Sequence, residues 1–141
     1  MRVCEILKRK GDTVYQISQN ASLSDAVERL VNFNCGSLMV NWENLIVGII
    51  TERDILKSIE SQKRDLGELL VCNFMSRKLI VGHPMDEVGE IMGKMTTHRI
   101  RHLPIFDNER LAGMISIGDV VKAMFDLLAE ENHYLKVYIQ G

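Results

Sequence analysis

Two stretches of this sequence decide its fold: Gly-Ile-Ile-Thr-Glu-Arg-Asp-Ile at Gly48–Ile55 and Gly-Met-Ile-Ser-Ile-Gly-Asp-Val at Gly113–Val120. When the chain is slid along itself until these stretches coincide, Leu38–Val40 falls on Leu103–Ile105, and no gap is needed from residue 23 to residue 57. Few residues are identical, but apolar residues keep their places. Self-similarity at a fixed spacing is typical of repeat architectures, so the chain is predicted to contain two copies of one supersecondary unit.

Each copy is predicted to form a strand, a helix, two strands and a second helix. In the first copy these elements are expected at Val14–Ile17, from Ser22 to Gly36, at Ser37–Val40, at Leu45–Ile50 and from Thr51 past Ile59. Apolar residues alternate with polar ones in the first strand and recur at helical spacing in the helices. Ser22, which an acid follows three residues later, is a candidate N-cap, and Gly36 is placed to end the first helix.

In the second copy the same elements are expected at Leu79–Val81, from Asp86 to His98, at His102–Phe106, at Leu111–Ile115 and from Gly118 past Leu128. The predicted division is residues 1–62 and residues 63–141, and the second unit carries a C-terminal helical extension. Domains of about 60 residues are marginal on their own. The sequence therefore predicts an α+β fold with layers of the α/β type, in which the sheets of the two units pack on each other as one module.

Composition excludes several classes of protein. The chain has 141 residues, 46% of them hydrophobic and 26% charged, as in ordinary globular proteins. A net charge of −2 gives no strong basic field for nucleic acid or an anionic membrane. No apolar run approaches the roughly 18 residues of a membrane span, and charges follow Met1 too early for a secretory signal. We expect a cytoplasmic protein without a membrane span.

The cysteines and histidines form no recognisable reactive pattern. Cys4, Cys35 and Cys72 contain no CxxC pair, so they are expected to be reduced thiols and small buried hydrophobes. His98 and His102 share a helical spacing, but a strand is predicted from His102 onward, which argues against a metal site. Glycine-rich nucleotide loops of the GxGxxG and P-loop types and the zinc motif HExxH are absent. An enzyme is therefore not expected.

The second copy carries a family resemblance. Leu-Pro-Ile-Phe-Asp at Leu103–Asp107, followed by a short turn and Gly-Met-Ile-Ser-x-x-Asp at Gly113–Asp119, resembles a cystathionine-β-synthase (CBS) domain, and Gly48–Asp54 resembles the other half of a tandem pair. The resemblance extends from about Val3 to Lys122. It implies a Bateman module, in which two pseudo-twofold-related units pack through their sheets and form two clefts. Such clefts often bind AMP, ADP, ATP, S-adenosylmethionine or a dinucleotide such as NAD, and such modules often dimerise and regulate a partner.

The repeated Thr/Ser-x-x-Asp motif is expected where a strand ends and a helix begins. The first turn of a helix leaves backbone N–H groups unpaired and favours an anion. Thr51 and Ser116 can each donate a hydroxyl to a phosphate, and the resemblance assigns Asp54 and Asp119 to the two hydroxyls of a ribose. The alternative is that Thr51 and Ser116 are only N-caps, with each acid favoured by the first helical turn.

The two clefts are predicted to differ in their cations and apolar walls. Arg53, and Lys78 as a further candidate, would serve the Asp54 cleft, whereas Arg101 and His102 would serve the Asp119 cleft. By the family pattern, residues entering the first strand of one copy line the cleft of the other. This assigns Thr13, Val14 and Tyr15 to the Asp119 cleft and Lys78, Leu79 and Ile80 to the Asp54 cleft. Tyr15 is equally compatible with stacking on adenine and with packing.

The leading hypothesis is a regulatory module that binds an adenine nucleotide in one or both clefts and acts on a separate partner protein. A homodimer is expected from the resemblance, and the apolar segment Tyr134–Ile139 suits a dimer interface, a partner groove or packing within the chain. The rival hypothesis is a ligand-free interaction or structural CBS pair whose clefts are closed by side chains.

Overall fold

Both copies of the repeat form a hairpin followed by a helix in the computed structural model, which describes residues 1–140. The helices and strands are α1 (Val3–Lys10), β1 (Gln16–Ser18), α2 (Leu23–Phe33), β2 (Ser37–Trp42), β3 (Leu45–Thr51), α3 (Glu52–Gln62), α4 (Val88–His98), β4 (His102–Asp107), β5 (Arg110–Ser116) and α5 (Ile117–Gln140). Two short 3₁₀ helices, Leu66–Glu68 and Val71–Asn73, follow α3. The α+β class is confirmed, and the hairpin strands extend slightly beyond their predicted bounds.

The chain divides into two compact units whose boundaries differ from the predicted division at residue 62. Unit 2 is Val14–Leu79, and unit 1 combines Met1–Thr13 with the described chain from Ile80 onward. The reason is that the segment preceding each copy packs on the other copy. The α1 residue Val3 donates its N–H to the Asp86 carbonyl, and the segment after α3 bonds to the residues that precede α2.

Unit 2 contains a three-stranded sheet in the order β1-β2-β3, with β1 parallel to β2 and β2 antiparallel to β3. One face of the sheet packs on α2 and α3 because their apolar residues recur at helical spacing. The buried core consists of Ile17, Leu23, Ala26, Leu30, Leu38, Val40, Ile50, Ile55, Leu69, Val71 and Met75. The predicted order of strand, helix, strand, strand and helix is confirmed for this copy.

Unit 1 contains the antiparallel pair β4-β5, covered by α4, α5 and α1. The predicted strand Leu79–Val81 is wrong: the parallel pairing is a single bridge between Gly82 and Ile105. In unit 2, the Met39 N–H donates to the Tyr15 carbonyl at 3.0 Å. Pro104 occupies the position of Met39 in the second copy and has no N–H, so this bond of the ladder is lost.

The ends of the first helices also differ from the prediction. Helix α2 ends at Phe33, and Asn34 rather than Gly36 takes the left-handed conformation that caps it, with φ 50°. Arg99 does the same after α4, with φ 54°. Asparagine tolerates this conformation because its short polar side chain bonds locally. Helix α4 begins at Val88, later than the predicted Asp86.

Helix α5 is much longer than the other helices. Only Val120 and Ala123 are buried along its 24 residues, and every residue from Ala129 to Gln140 is exposed. Packing of the segment Tyr134–Ile139 within this chain is therefore not observed. Among residues 1–140, none of the helices combines the length and the apolar character that crossing a bilayer requires.

Candidate functional site at the two strand–helix junctions

The first Thr-x-x-Asp motif lies at the junction of β3 and α3 in unit 2. The Asp54 carboxylate atom Oδ2 accepts hydrogen bonds from the Thr51 N–H at 2.9 Å and from the Thr51 hydroxyl at 3.1 Å. The Asp54 N–H donates to Thr51 Oγ1 at 3.4 Å, which completes a capping box. Thr51 is therefore the N-cap of α3. The capping box uses only one of the two oxygens of the Asp54 carboxylate. Within residues 1–140, no cation pairs with this carboxylate.

The second motif has the same local geometry at the junction of β5 and α5. The Ser116 N–H donates to Asp119 Oδ2 at 2.8 Å, and the Asp119 N–H donates to Ser116 Oγ at 3.1 Å. The identical arrangement in the two copies follows from sequence, because a capping box involves only residues three positions apart.

Asp119 has a further partner that Asp54 lacks. Lys10, in the last turn of α1, donates from Nζ to Asp119 Oδ2 at 2.6 Å and to the Met114 carbonyl at 2.8 Å. Burial raises the pKa of Asp119, but hydrogen bonds from Lys10 and Ser116 and the Lys10 charge outweigh it and hold this pKa below its usual value. Sequence reasoning missed Lys10, because no repeat or motif links α1 to a residue near the start of α5.

The basic candidates are distributed unequally between the units. In unit 1, His102 lies opposite Ser116 in the register of β4 and β5, and the Arg101 carbonyl accepts the Ile117 N–H at 2.8 Å. The structure therefore brings Arg101 and His102 beside the Ser116–Asp119 motif, as the sequence suggested. In unit 2, Arg53 is an exposed residue in the first turn of α3.

The candidates for the apolar walls lie before or between the named strands. Thr13 is exposed at the end of the N-terminal segment of unit 1, and Val14 and Tyr15 begin unit 2. The Tyr15 ring stacks on Phe33, with ring centroids 4.2 Å apart and planes within 9°, so a packing contact exists on one of its faces. Exposed Lys78 and half-buried Leu79 end unit 2, whereas Ile80 packs against the core of unit 1.

Cys35 lies next to the start of β2, close to the first motif. Burial and the nearby Glu52 carboxylate raise the pKa of the Cys35 thiol, against a backbone hydrogen bond from Ser37. A raised pKa keeps the thiol protonated at neutral pH, whereas a catalytic cysteine requires a lowered one. Within residues 1–140, no three His, Cys, Asp or Glu side chains cluster in a way that could hold a metal ion.

Comparisons with known proteins agree with the repeated geometry. The sequence profile of the CBS domain matches residues 5–61 and 68–126. The mitochondrial CBS domain-containing protein CBSX3 of Arabidopsis thaliana is 35% identical over 148 residues, which cover 99% of this chain and 72% of that protein. A CBS-domain-containing protein from Agrobacterium tumefaciens has a crystal structure with a TM-score of 0.85 and 34% identity, and the match covers 88% of this chain and 99% of that one.

A third comparison concerns a ligand complex. The CBS domain pair of protein MJ0100, crystallised with 5′-methylthioadenosine and S-adenosylmethionine, gives a TM-score of 0.79 at 25% identity, over 89% of this chain and 97% of that one. The two matched segments contain both hairpins and both capped junctions described above. With two copies of one unit, and with this profile matching each copy, the chain belongs to the CBS-domain family and carries a tandem pair of CBS domains.

Proposed function

We propose that this protein is a regulatory module that binds an adenine nucleotide at the Thr51–Asp54 junction and acts on a separate partner protein. The observation that carries the proposal is the half-used Asp54 carboxylate at the N-terminus of α3. Its Oδ2 atom is engaged in the capping box, while its Oδ1 atom accepts none of the hydrogen bonds observed within residues 1–140. An ionised carboxylate of this kind suits the vicinal hydroxyls of a ribose.

The surroundings of Asp54 suit the rest of a nucleotide. The first turn of α3 offers backbone N–H groups and the positive end of the helix dipole to a phosphate. Exposed Arg53 in the same turn adds a cation whose planar fork matches phosphate oxygens. The related CBS pair that was crystallised with two adenosine compounds supports this class of ligand, with AMP, ADP, ATP, NAD and S-adenosylmethionine as candidates.

Isothermal titration with AMP, ATP, NAD and S-adenosylmethionine tests the proposal. Asp54→Ala should weaken binding by about tenfold to a hundredfold, the usual value of hydrogen bonds to a charged group. Asp25→Ala is the matched control, because Asp25 closes the same capping box at α2, outside the repeated motif. Unchanged affinity in Asp54→Ala would refute the site.

The rival function is a ligand-free interaction or structural pair. It is favoured by the capping boxes themselves, which give Thr51 and Asp54 a sufficient structural role. Binding of none of the four ligands would favour this rival. Burial raises the pKa of the Cys35 thiol beside the motif, which disfavours this thiol as a catalytic nucleophile.

We further propose that the protein forms a homodimer through an exposed row of residues on α5, here called the α5 stripe. The stripe consists of Val121, Phe125, Leu128, Asn132, Leu135 and Ile139, all of them exposed. The alternating spacings of four and three residues match the a and d positions of a two-stranded coiled coil. Asn132 then occupies an a position, where a single asparagine specifies the register of a dimer.

Sedimentation velocity tests this interface. Leu128→Lys and Leu135→Lys should convert a dimer into a monomer, because each places a charge in the apolar seam. Val137→Lys is the matched control, since Val137 is an exposed apolar residue of α5 outside the stripe. Equal dissociation in all three variants, or a wild-type monomer, would contradict the interface.

A cytoplasmic location is proposed on the state of the cysteines. Cys4, Cys35 and Cys72 are all partly buried free thiols in the described chain. Free thiols of this kind are typical of a reducing compartment. Cell fractionation followed by immunodetection tests the location, and recovery in a secreted or membrane fraction would contradict it.

A further inference from the structure

We propose that Lys10 makes the two nucleotide motifs unequal: its ammonium group occupies the Asp119 carboxylate, so that an adenine nucleotide binds at Asp54 in preference to Asp119. The inference rests on the proposed function, which it deepens by assigning the ligand to one of two nearly identical motifs. All the residues that carry it at Asp119 belong to unit 1.

The Lys10 ammonium is well satisfied where it lies. It donates to Asp119 Oδ2 at 2.6 Å and to the Met114 carbonyl at 2.8 Å, so two of its three donors are used within unit 1. The side chains of Lys10 and Asp119 are 35% and 21% exposed. An ion pair that is partly shielded from water is screened less than a fully exposed one. A ligand that binds the Asp119 carboxylate therefore competes with an attraction between Lys10 and Asp119 that salt only partly weakens.

Lys10 lies beside Asp119 because helix α1, which carries it, packs firmly on unit 1. Leu7, buried on α1, lies directly over Gly113 of β5, where an added Cβ would come within 2.6 Å of the Leu7 side chain. Arg9, next to Lys10, pairs with Asp126 of α5 at 3.6 Å. The backbone of α1 is thus fixed against unit 1, so only the side chain of Lys10 has to be ordered when it meets Asp119.

The equivalent place in unit 2 is covered by a different kind of segment. Gly48 corresponds to Gly113, but the atoms above it are the Ser76 carbonyl oxygen and the Met75 side chain. No lysine comes from that segment to Asp54, whose second Oδ2 donor is the neutral Thr51 hydroxyl. A ligand hydroxyl that replaces the Thr51 hydroxyl at Oδ2 breaks one neutral hydrogen bond, whereas at Asp119 it competes with the charge and the bulk of the Lys10 ammonium.

The consequence for a ribose follows from the acceptors that it needs. Two vicinal hydroxyls that donate to one carboxylate bind it in the bidentate geometry when each uses a different oxygen. At Asp119, the Oδ2 atom already accepts from Ser116 and Lys10, so a ribose hydroxyl that uses this oxygen competes with the Lys10 ammonium. We expect this competition to weaken ribose binding at Asp119 by about fivefold, which corresponds to about 1 kcal/mol, the upper range for such ion pairs.

Calorimetric titration in an Asp54→Ala background isolates the Asp119 motif. With AMP and with adenosine as probes, Lys10→Gln should tighten binding by about fivefold relative to the background. Lys8→Gln is the matched control, because Lys8 is an exposed lysine of the same helix, and its removal changes the net charge equally. Unchanged or weaker binding in Lys10→Gln would overturn the inference, since Lys10 would then be neutral or would itself hold the phosphate.

A ligand-free readout separates this inference from the proposed function. In a carboxyl-detected NMR titration, the Asp119 signal should titrate below the usual range in the wild type and higher in Lys10→Gln. An unperturbed Asp119 in the wild type would overturn the inference whatever the protein binds. Failure of the wild type to bind any adenine compound would refute the proposed function, and AMP binding gained in Lys10→Gln would still support the block at Asp119.

Discussion

At the scale of single residues, the paired glycines Gly48 and Gly113 show how one pattern serves two different contacts. Each lies on the last strand of its hairpin, and each permits another segment to approach the sheet closely. An added Cβ would come within 2.6 Å of the Ser76 carbonyl oxygen at Gly48 and of the Leu7 side chain at Gly113. The backbone contact is rigid, whereas the end of a leucine side chain can move.

We therefore expect Gly48→Ala to destabilise the protein more than Gly113→Ala. The first change should cost about 3 kcal/mol and the second about 1 kcal/mol, the two ends of the usual range for overpacking. Gly48→Ala also disturbs the paired hydrogen bonds between Ile49 and Ser76, at 2.9 and 3.0 Å. Urea unfolding of both variants measures the difference, and a larger loss in Gly113→Ala would contradict this account.

The ion pair at Asp119 predicts a dependence of stability on pH. The pKa of Asp119 is lowered in the folded state. The interaction therefore stabilises the protein above the usual carboxyl pKa of about 4, and this stabilisation is lost as pH falls through the folded-state pKa of Asp119. The gap in unfolding free energy between wild type and Lys10→Gln should be at most about 1 kcal/mol at pH 7, because the pair is partly exposed.

That gap should shrink from about pH 4 downward. The exposed Arg9–Asp126 pair links the same two helices, but it is present in both proteins and its contribution cancels in the difference. Urea unfolding at fixed ionic strength measures the gap. A gap that stays constant between neutral and acid pH would show that Lys10 acts through packing alone.

At the scale of elements, three helices begin in the same way. In each, a side-chain hydroxyl oxygen accepts a hydrogen bond from the N–H of an aspartate three residues later; the accepting residues are Ser22, Thr51 and Ser116. The box at α2 lies outside the repeated motif, whereas the box at α3 lies where the nucleotide is proposed to bind. The capping function and the binding function can therefore be separated by comparing helices.

Ser22→Ala and Thr51→Ala should each lower the unfolding free energy by about 1 kcal/mol, the usual cost of losing an N-cap. Only Thr51→Ala should also weaken nucleotide binding, because its hydroxyl lies at the proposed site. Thermal unfolding with and without AMP measures both effects, since a bound ligand raises stability by mass action. An equal stabilisation of both variants by AMP would assign Thr51 to capping alone.

At the scale of the whole molecule, the charges beside the α5 stripe predict whether the two α5 helices of the proposed dimer run parallel or antiparallel. Glu131 and Lys136 flank the stripe at g and e positions, and both are exposed. In a parallel coiled coil, a g residue of one helix meets the e residue five positions later on the other, so Glu131 would pair with Lys136 of the second copy. The charges therefore favour parallel association.

Glu131→Lys should weaken the dimer by bringing like charges together, and adding Lys136→Glu in the same chain should restore it. The expected change is about fivefold in the dissociation constant for the single variant, because exposed pairs contribute little. Analytical ultracentrifugation across a concentration series measures it. A double variant that is as weak as the single one would exclude this pairing.

Much of this fold is encoded locally. The hairpins and the capping boxes at Thr51 and Ser116 depend on residues a few positions apart. Because the pattern occurs in both copies of the repeat, each copy supports the prediction made for the other. The errors are instructive: the strand at Leu79–Val81 fails because Pro104 lacks an N–H, and α2 ends at Asn34 because asparagine accepts a left-handed backbone. Each error has a single residue as its cause: Pro104 matters only because the strand opposite it needs its N–H, and Asn34 matters because its backbone adopts a left-handed conformation.

The candidate site divides in the same way. Sequence alone predicted that two acids would begin two helices, and the family resemblance added Arg101 and His102 as candidates beside the second. Only the tertiary structure decided that α1 packs on the second copy and brings Lys10 to Asp119, across 109 positions of the chain. The physical reason is that capping and pairing patterns are local, whereas the partner of a charged side chain depends on which segments the topology brings together.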